Sequence, residues 1–436
     1  MPHNIRILLT LEDYIKMENE TNTKKPLWTR DFTIITLGSV VSMLGNNMAG
    51  FAMSLMILDF TGSTMLYAIY LMTYTVPQLI MPIISGAILD RFSRKKMIYT
   101  LDFIMSILYV IVALALMKGW FSFPIFALFT LTIGTISSIY MVAYESLYPL
   151  LITEGNYQKA YSIASVLETC AVFMVPVATF AYNLVGMGPL MIFNGVCFFI
   201  AAVLETQIQA EEKYIDKQKK SVENEEMGHI QRMLLDIREG FIYLSSEKGL
   251  LAIAVFFLFS TMAGGASNVI CLPYLKANYD NGEYLYMVIF GMAFAGRGIG
   301  GFIHYRQKMP VKYKYYIALF VYIMMGIFEG LYLYVPVKAA MMLAFCVGIG
   351  GVTSYTIRIS STQSYVPDEN KGRFNGAFQV LSTSGALIAE LLAGVLTKVM
   401  DERAVLLTFM LLSAVAAIVV IGGNKKHVMP IYNRNM

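Results

Sequence analysis

Apolar runs long enough to cross a bilayer recur along this chain, separated by short polar breaks. They fall at 31–58, 64–89, 97–117, 122–149, 160–184, 187–206, 249–272, 284–305, 315–335, 339–366, 373–399 and 403–423. A helix rises about 1.5 Å per residue and the hydrocarbon layer is about 30 Å thick, so each run is long enough to span it. The pattern predicts an all-α membrane protein with twelve transmembrane helices. The longest polar interruption divides six spans from six. The expected units are a tail at 1–30, a six-helix bundle at 31–206, a central loop at 207–248, a second six-helix bundle at 249–423 and a tail at 424–436.

Charge gives the expected orientation. Of the 33 Lys and Arg residues, 26 fall in alternate segments that include both termini and the central loop. Because cytoplasmic loops retain Lys and Arg, both termini are expected inside, in a cell membrane. The central loop opens with the charged run 211–220. It continues with Ile230, Met233, Leu234, Ile237, Phe241 and Leu244 at helical spacing, which predicts an amphipathic helix over 228–247 lying on the cytoplasmic surface. Residues 1–16 precede a second methionine, Met17, and are expected to be dispensable.

Composition narrows the class. Of the 436 residues 57% are hydrophobic and only 14% charged, with a mean hydropathy of +0.60; soluble domains carry about 25% charge. A net charge of +4 gives no reason to expect a nucleic-acid partner. Cys170, Cys197, Cys271 and Cys346 lie far apart inside apolar runs, and His3, His229, His304 and His427 are scattered. Neither set has metal-ligand spacing, so no metal and no cofactor is expected. The short loops carry no nucleophile or phosphate motif, which argues against a membrane enzyme. The central loop is also too short for a signalling domain, which argues against a sensor.

One turn carries the most specific pattern. Between spans 2 and 3 the chain reads Gly86, then Asp90-Arg91, then Arg94-Lys95-Lys96. The order G-x-x-x-D-R-x-x-R-K resembles the loop between helices 2 and 3 of the major facilitator superfamily of secondary transporters. A weaker echo lies 215 residues on, where Gly301 and Arg306 stand at the positions of Gly86 and Arg91, and Tyr305 replaces Asp90. The segments around Trp28 to Phe32, Gly45 to Asn47 and Tyr365 to Arg373 are similar to bacterial macrolide-efflux-type exporters. The resemblance implies a major facilitator fold, alternating access and, most often, a monomer. It also implies that Gly86, Asp90, Arg91, Arg94 and Lys95 form a conformational-switch loop acting on the start of span 11. Span 4 lacks the arginine, and span 5 the G-P-x-x-G-G pattern, usual in proton-coupled drug exporters.

Ionisable groups at membrane depth are expensive and mark function by default. Counting residues from the cytoplasmic ends puts Glu168 of span 5 and Arg297 of span 8 each about 12 Å deep, and the resemblance sets those spans opposite each other. They are expected to pair across the halves. Glu145 of span 4 and Arg358 of span 10 form a second expected pair at an inner gate. Glu390 of span 11 is the alternative proton site. Asp102 and Glu329, on supporting spans, are expected to be structural or to snorkel. Asn46, Asn47, Tyr74, Gln78, Tyr140, Tyr144, Asn268, Tyr355 and Gln379 are the polar and aromatic candidates for contact with substrate. Thirty methionines supply a deformable wall suited to varied apolar ligands. The expected activity is proton-coupled efflux of an amphipathic small molecule, with uptake of a nutrient as the alternative.

Overall fold

The computed structural model describes residues 26–89, 92–153, 156, 160, 163, 167, 174–210, 229–306 and 309–434. Among these, every regular element is a helix. Ten helices are long and apolar enough to cross a membrane. They correspond to spans 1 (Arg30–Thr61), 3 (Arg94–Met117), 4 (Phe123–Leu147), 6 (Met187–Glu205), 7 (Lys248–Asn278), 8 (Gly282–Arg306), 9 (Lys314–Gly330), 10 (Val337–Tyr365), 11 (Asp368–Leu396) and 12 (Glu402–Ala416). Span 2 is the helix Thr64–Leu89, and Met174–Val185 is the described part of span 5. Among the described residues a helix thus stands at each of the twelve predicted positions.

Local chemistry sets the ends. Span 1 starts at Thr29, whose hydroxyl accepts the Phe32 amide at 3.2 Å. It stops at Gly62, where a positive φ of 57° lets the amide turn back onto Leu58. Asp401 caps span 12 by accepting from the Arg403 amide at 2.8 Å. The Arg403 guanidinium beside it holds this carboxyl below the usual range.

Packing is closest where side chains are smallest. Spans 8 and 10 cross so tightly that a Cβ on Gly348 would meet the Ala293 carbonyl, and one on Gly296 the Phe345 carbonyl. Span 3 lies along span 6, span 2 along span 4, and span 7 along span 11. Across the halves, span 2 packs against span 11, where Gly394 admits Met65 and Ala68. With an even number of crossings the two chain ends share one side, called the terminal face here; the opposite side is the far face.

Among the described residues, two further α-helices sit outside the spans. His229–Ser246 lies against the start of span 11 and touches spans 2 and 7, with Glu239 paired to Arg373 at 3.0 Å. Beyond span 12, which ends in a π-helical turn over Ala417–Gly422, the chain folds back as Lys425–Tyr432. This tail helix docks on spans 7, 9 and 10, and Tyr432 is fully buried with its hydroxyl 2.9 Å from that of Tyr322.

Tyr432→Phe is expected to lower thermal stability by about 1–3 kcal/mol, because it strands the buried Tyr322 hydroxyl; the Tyr322→Phe, Tyr432→Phe double variant recovers part of that loss in a melting assay. Asp401→Ala is expected to melt below wild type at neutral pH. Since the native carboxyl is held low, the cap persists above the ordinary carboxylate value and fades as pH falls, so the two melting curves converge in acid.

Candidate functional site

A cavity of about 1140 Å³ lies between the two halves. Span 1 contributes Asn47 and Phe51, and span 5 contributes Val175 and Pro176. Spans 7 to 10 and 12 supply most of the wall, including Asn268, Arg297 and Glu329. A second cavity of about 460 Å³ lies inside the first bundle and is lined by Asn46, Tyr74, Gln78, Asp102, Tyr140 and Glu145, among others.

The proposed substrate contacts thus divide. Asn46, Tyr74, Gln78, Tyr140 and Tyr144 face the first-bundle cavity, whereas Asn47 and Asn268 face the central one. Asn46 Oδ1 accepts from the Tyr109 hydroxyl at 3.4 Å, and Asn47 Nδ2 donates to the Met43 carbonyl at 2.8 Å. Tyr355 and Gln379 are exposed and line neither cavity; Gln379 Nε2 donates to Thr383 Oγ1 at 3.1 Å.

The charged candidates fall into different company from that expected. Glu168 lies outside the described residues, so its pairing with Arg297 has no described geometry. Arg297 lines the central cavity, with its guanidinium 5.4 Å from the Phe294 ring centre, and Glu329 of the same bundle stands within its electrostatic reach. Glu329 therefore does not snorkel. Met325, Gly326 and Glu329 share one helical face, and that face meets the cavity rather than lipid. Nor does Asp102 snorkel: it is 1% exposed, enclosed where span 3 packs on spans 4 and 6.

Glu145 and Arg358 are not in contact. Glu145 stands in the wall of the first-bundle cavity, while Arg358 is caged by rings of its own half. Its guanidinium lies 4.7 Å from the centre of Phe378, 5.0 Å from Phe257 and 5.7 Å from Tyr355. Ring quadrupoles thus take the place expected for a carboxylate. Glu390 is buried, 4% exposed, with Oε2 unpartnered, and it acts electrostatically on Tyr67 of span 2 across the seam between the halves.

Of the switch loop, Asp90 and Arg91 and the surroundings of Gly86 lie outside the described residues. Arg94 Nη1 donates to the Ser146 carbonyl at 3.1 Å and Lys95 Nζ to the Ala210 carbonyl at 3.0 Å, tying the start of span 3 to the ends of spans 4 and 6.

Sequence reasoning missed a polar seal at the far face. Asp59 of span 1 pairs with Lys276 of span 7 at 2.7 Å and accepts from the Tyr182 hydroxyl of span 5 at 2.6 Å. Beside it, Asn183 Nδ2 donates to Tyr284 at 3.2 Å and to Glu283 at 3.4 Å. Thr64 Oγ1 donates to Glu402 Oε1 at 2.7 Å. The Tyr182–Asp59 contact lies within the first half and holds Asp59 in place; the others join the first half to the second. The available signal was that Asp59 and Lys276 end spans 1 and 7, the corresponding helices of the two halves.

The sequence profile described as Major Facilitator Superfamily matches residues 35–390. The chain belongs to the major facilitator superfamily. Among relatives it is 24% identical over 336 residues to the uncharacterized MFS-type transporter YkuC of Bacillus subtilis, covering 73% of this chain and 75% of that one. It is also 24% identical over 285 residues to macrolide efflux protein A of Streptococcus pyogenes, covering 63% of this chain and 66% of that one. Its fold is similar to a bacterial homologue of the iron transporter ferroportin in an inward-facing state, with TM-score 0.66 and 13% identity over 93% of this chain and 99% of the other. The nucleoside transporter NupG gives TM-score 0.63 at 13% identity, over 90% and 98% of the two chains. The chain is thus a multi-pass membrane transporter of a non-enzymatic family.

Charge reversal should test the seal. Phe51→Cys places a thiol in the central cavity. Adding Asp59→Lys is expected to raise its labelling by an impermeant reagent supplied from the far face, and adding Lys276→Asp to restore protection.

Proposed function

We propose that this protein exports an amphipathic small molecule across the cell membrane, by alternating access coupled to protons. The observation that carries the reading is the central cavity: both halves contribute to its wall, and contacts between the halves close it on the far face. Among the described residues the wall is largely apolar and rich in Phe, Tyr and Met, with one cation, Arg297, and one acid, Glu329. Such a lining accepts varied hydrophobic bodies and orients a polar group on them. Similarity to macrolide efflux protein A favours outward transport of such a compound.

In this reading the terminal face is cytoplasmic, in keeping with the concentration of Lys and Arg there. Substrate enters from that side, and the seal around Asp59 and Lys276 parts when the bundles rock. The two bundles act as the rigid units at 31–206 and 249–423, and the monomer is the working form. Glu168 and Glu390 are the proton-site candidates nearest the moving seam, and the loop around Asp90 locks the cytoplasmic mouth against span 11 in the opposite state.

The test is proton flux in proteoliposomes carrying an imposed pH gradient, challenged with a macrolide, a cationic dye and a sugar. Gradient collapse is expected with the macrolide or dye and is expected to weaken in Glu168→Gln or Glu390→Gln. Collapse with the sugar alone would contradict export of amphipathic compounds and favour nutrient uptake.

A further inference from the structure

Near the terminal face, the packing of span 3 on span 6 brings two acids together inside the first bundle. Asp102 and Glu205 are each 1% exposed. Asp102 Oδ2 and Glu205 Oε2 are buried with no hydrogen-bond partner. The Tyr140 hydroxyl of span 4 lies 3.4 Å from Glu205 Oε1, and Tyr140 is within electrostatic reach of Asp102. The two carboxyl groups also act on each other. Span 1 makes room for them at Gly38, where a Cβ would stand 3.1 Å from Glu205 Oε1.

Among the described residues no cation acts on either acid. The ammonium of Lys95 and the guanidinium of Arg94, on the same helix as Asp102, reach the carbonyls of Ala210 and Ser146. The other titratable groups on the packed helices are Lys96, Tyr99 and Tyr109 of span 3, Tyr144 and Glu145 of span 4, Cys197 of span 6, and Arg30 and Asp31 at the start of span 1. Asp31 accepts from the Gln209 amide at 3.0 Å. Two buried carboxylates with no counter-charge among the described residues repel each other and lose hydration, and both effects favour a bound proton over two ionised groups. Asp102 also lines the first-bundle cavity, beside Tyr140, Tyr144 and Glu145, which gives that proton a polar route in and out.

We propose that Asp102 and Glu205, with the Tyr140 hydroxyl, form a proton-binding site inside the first bundle. It is loaded from that bundle's own cavity rather than at the seam between the halves. The site's use in transport rests on the proton-coupled reading above; its occupancy by a proton does not. Loss of the proton leaves a bare charge that favours a hydrated, open cavity, and its return favours closure.

The experiment compares full-length wild type, Asp102→Asn and Glu205→Gln in lipid nanodiscs by infrared difference spectroscopy between neutral and alkaline pH. Wild type is expected to show a protonated-carboxyl band that disappears at high pH, each single variant to shift it, and the Asp102→Asn, Glu205→Gln double variant to lose it. Each variant is also expected to melt at or above wild type, since the amide removes an unbalanced charge; a purely structural role would lower the melting temperature instead. In proteoliposomes with erythromycin as probe, both variants are expected to keep exchange down a gradient and lose pH-driven accumulation. A band that stays unshifted in both single variants overturns the proposal, as does a band that responds to sodium ions and not to pH. If the double variant loses the band while wild-type transport ignores the pH gradient, the site stands and the proton-coupled reading fails.

Discussion

Charge inside hydrocarbon is the constraint on which this structure turns. Leaving an ionised group at membrane depth without compensation costs several kcal/mol, comparable with much of a membrane protein's net stability. The chain meets that constraint in a different way at each intramembrane charge. Arg358 rests among three rings, which supply negative quadrupole faces without a second charge. Arg297 borders a cavity and has an acid within reach. Asp102 and Glu205 have no cation at all among the described residues, and a shared proton is the remaining way to keep such a pair buried.

At the far face, polar contacts accompany apolar packing across the seam, as where Met65 and Ala68 of span 2 meet Gly394 of span 11. Asp59 and Lys276 retain side-chain exposures of 40% and 22%, so their pair lies in the range of about 0–1 kcal/mol. Reversing a two-state equilibrium from 1:99 to 99:1 takes about 5.5 kcal/mol. A few contacts of this size can be broken and remade by one proton or one bound ligand. The crossing of spans 8 and 10 at Gly348 and Gly296 falls within one half, while Gly394 makes a close approach across the seam to Met65 and Ala68. The polar contacts at the far-face seam are breakable, which suits bundles that rock.

The sequence carried the fold because hydrophobic length is a one-dimensional signal. Twelve apolar runs of sufficient length leave little freedom, and the turn containing Asp90 and Arg91 identified the superfamily. Site geometry was less legible because counting along a helix gives depth but not azimuth. Counting places Glu145 and Arg358 about 6 Å apart in depth, a gap long side chains could bridge, yet packing turns one toward the first-bundle cavity and sets the other among Phe257, Tyr355 and Phe378. Glu329 was missed for the same reason, since its face is chosen by the packing of span 9. Glu205 lies at the end of a predicted span, where a charge ordinarily reaches water. It is buried because the chain beyond it folds back, with Ala210 held by Lys95. The Asp59–Lys276 contact joins residues that share no local pattern, only equivalent places in two halves.

The central claim is that the two faces open in alternation, with the far face closed in the structure described here. Pairs of spin labels placed across the seam, one pair at Ser63→Cys and Asn281→Cys on the far face and one at Ser93→Cys and Asn375→Cys near the terminal face, test it directly in nanodiscs over a range of pH and with erythromycin added. The account predicts that the far-face distance lengthens as the terminal-face distance shortens. Distances that stay fixed, or that lengthen together, would contradict it.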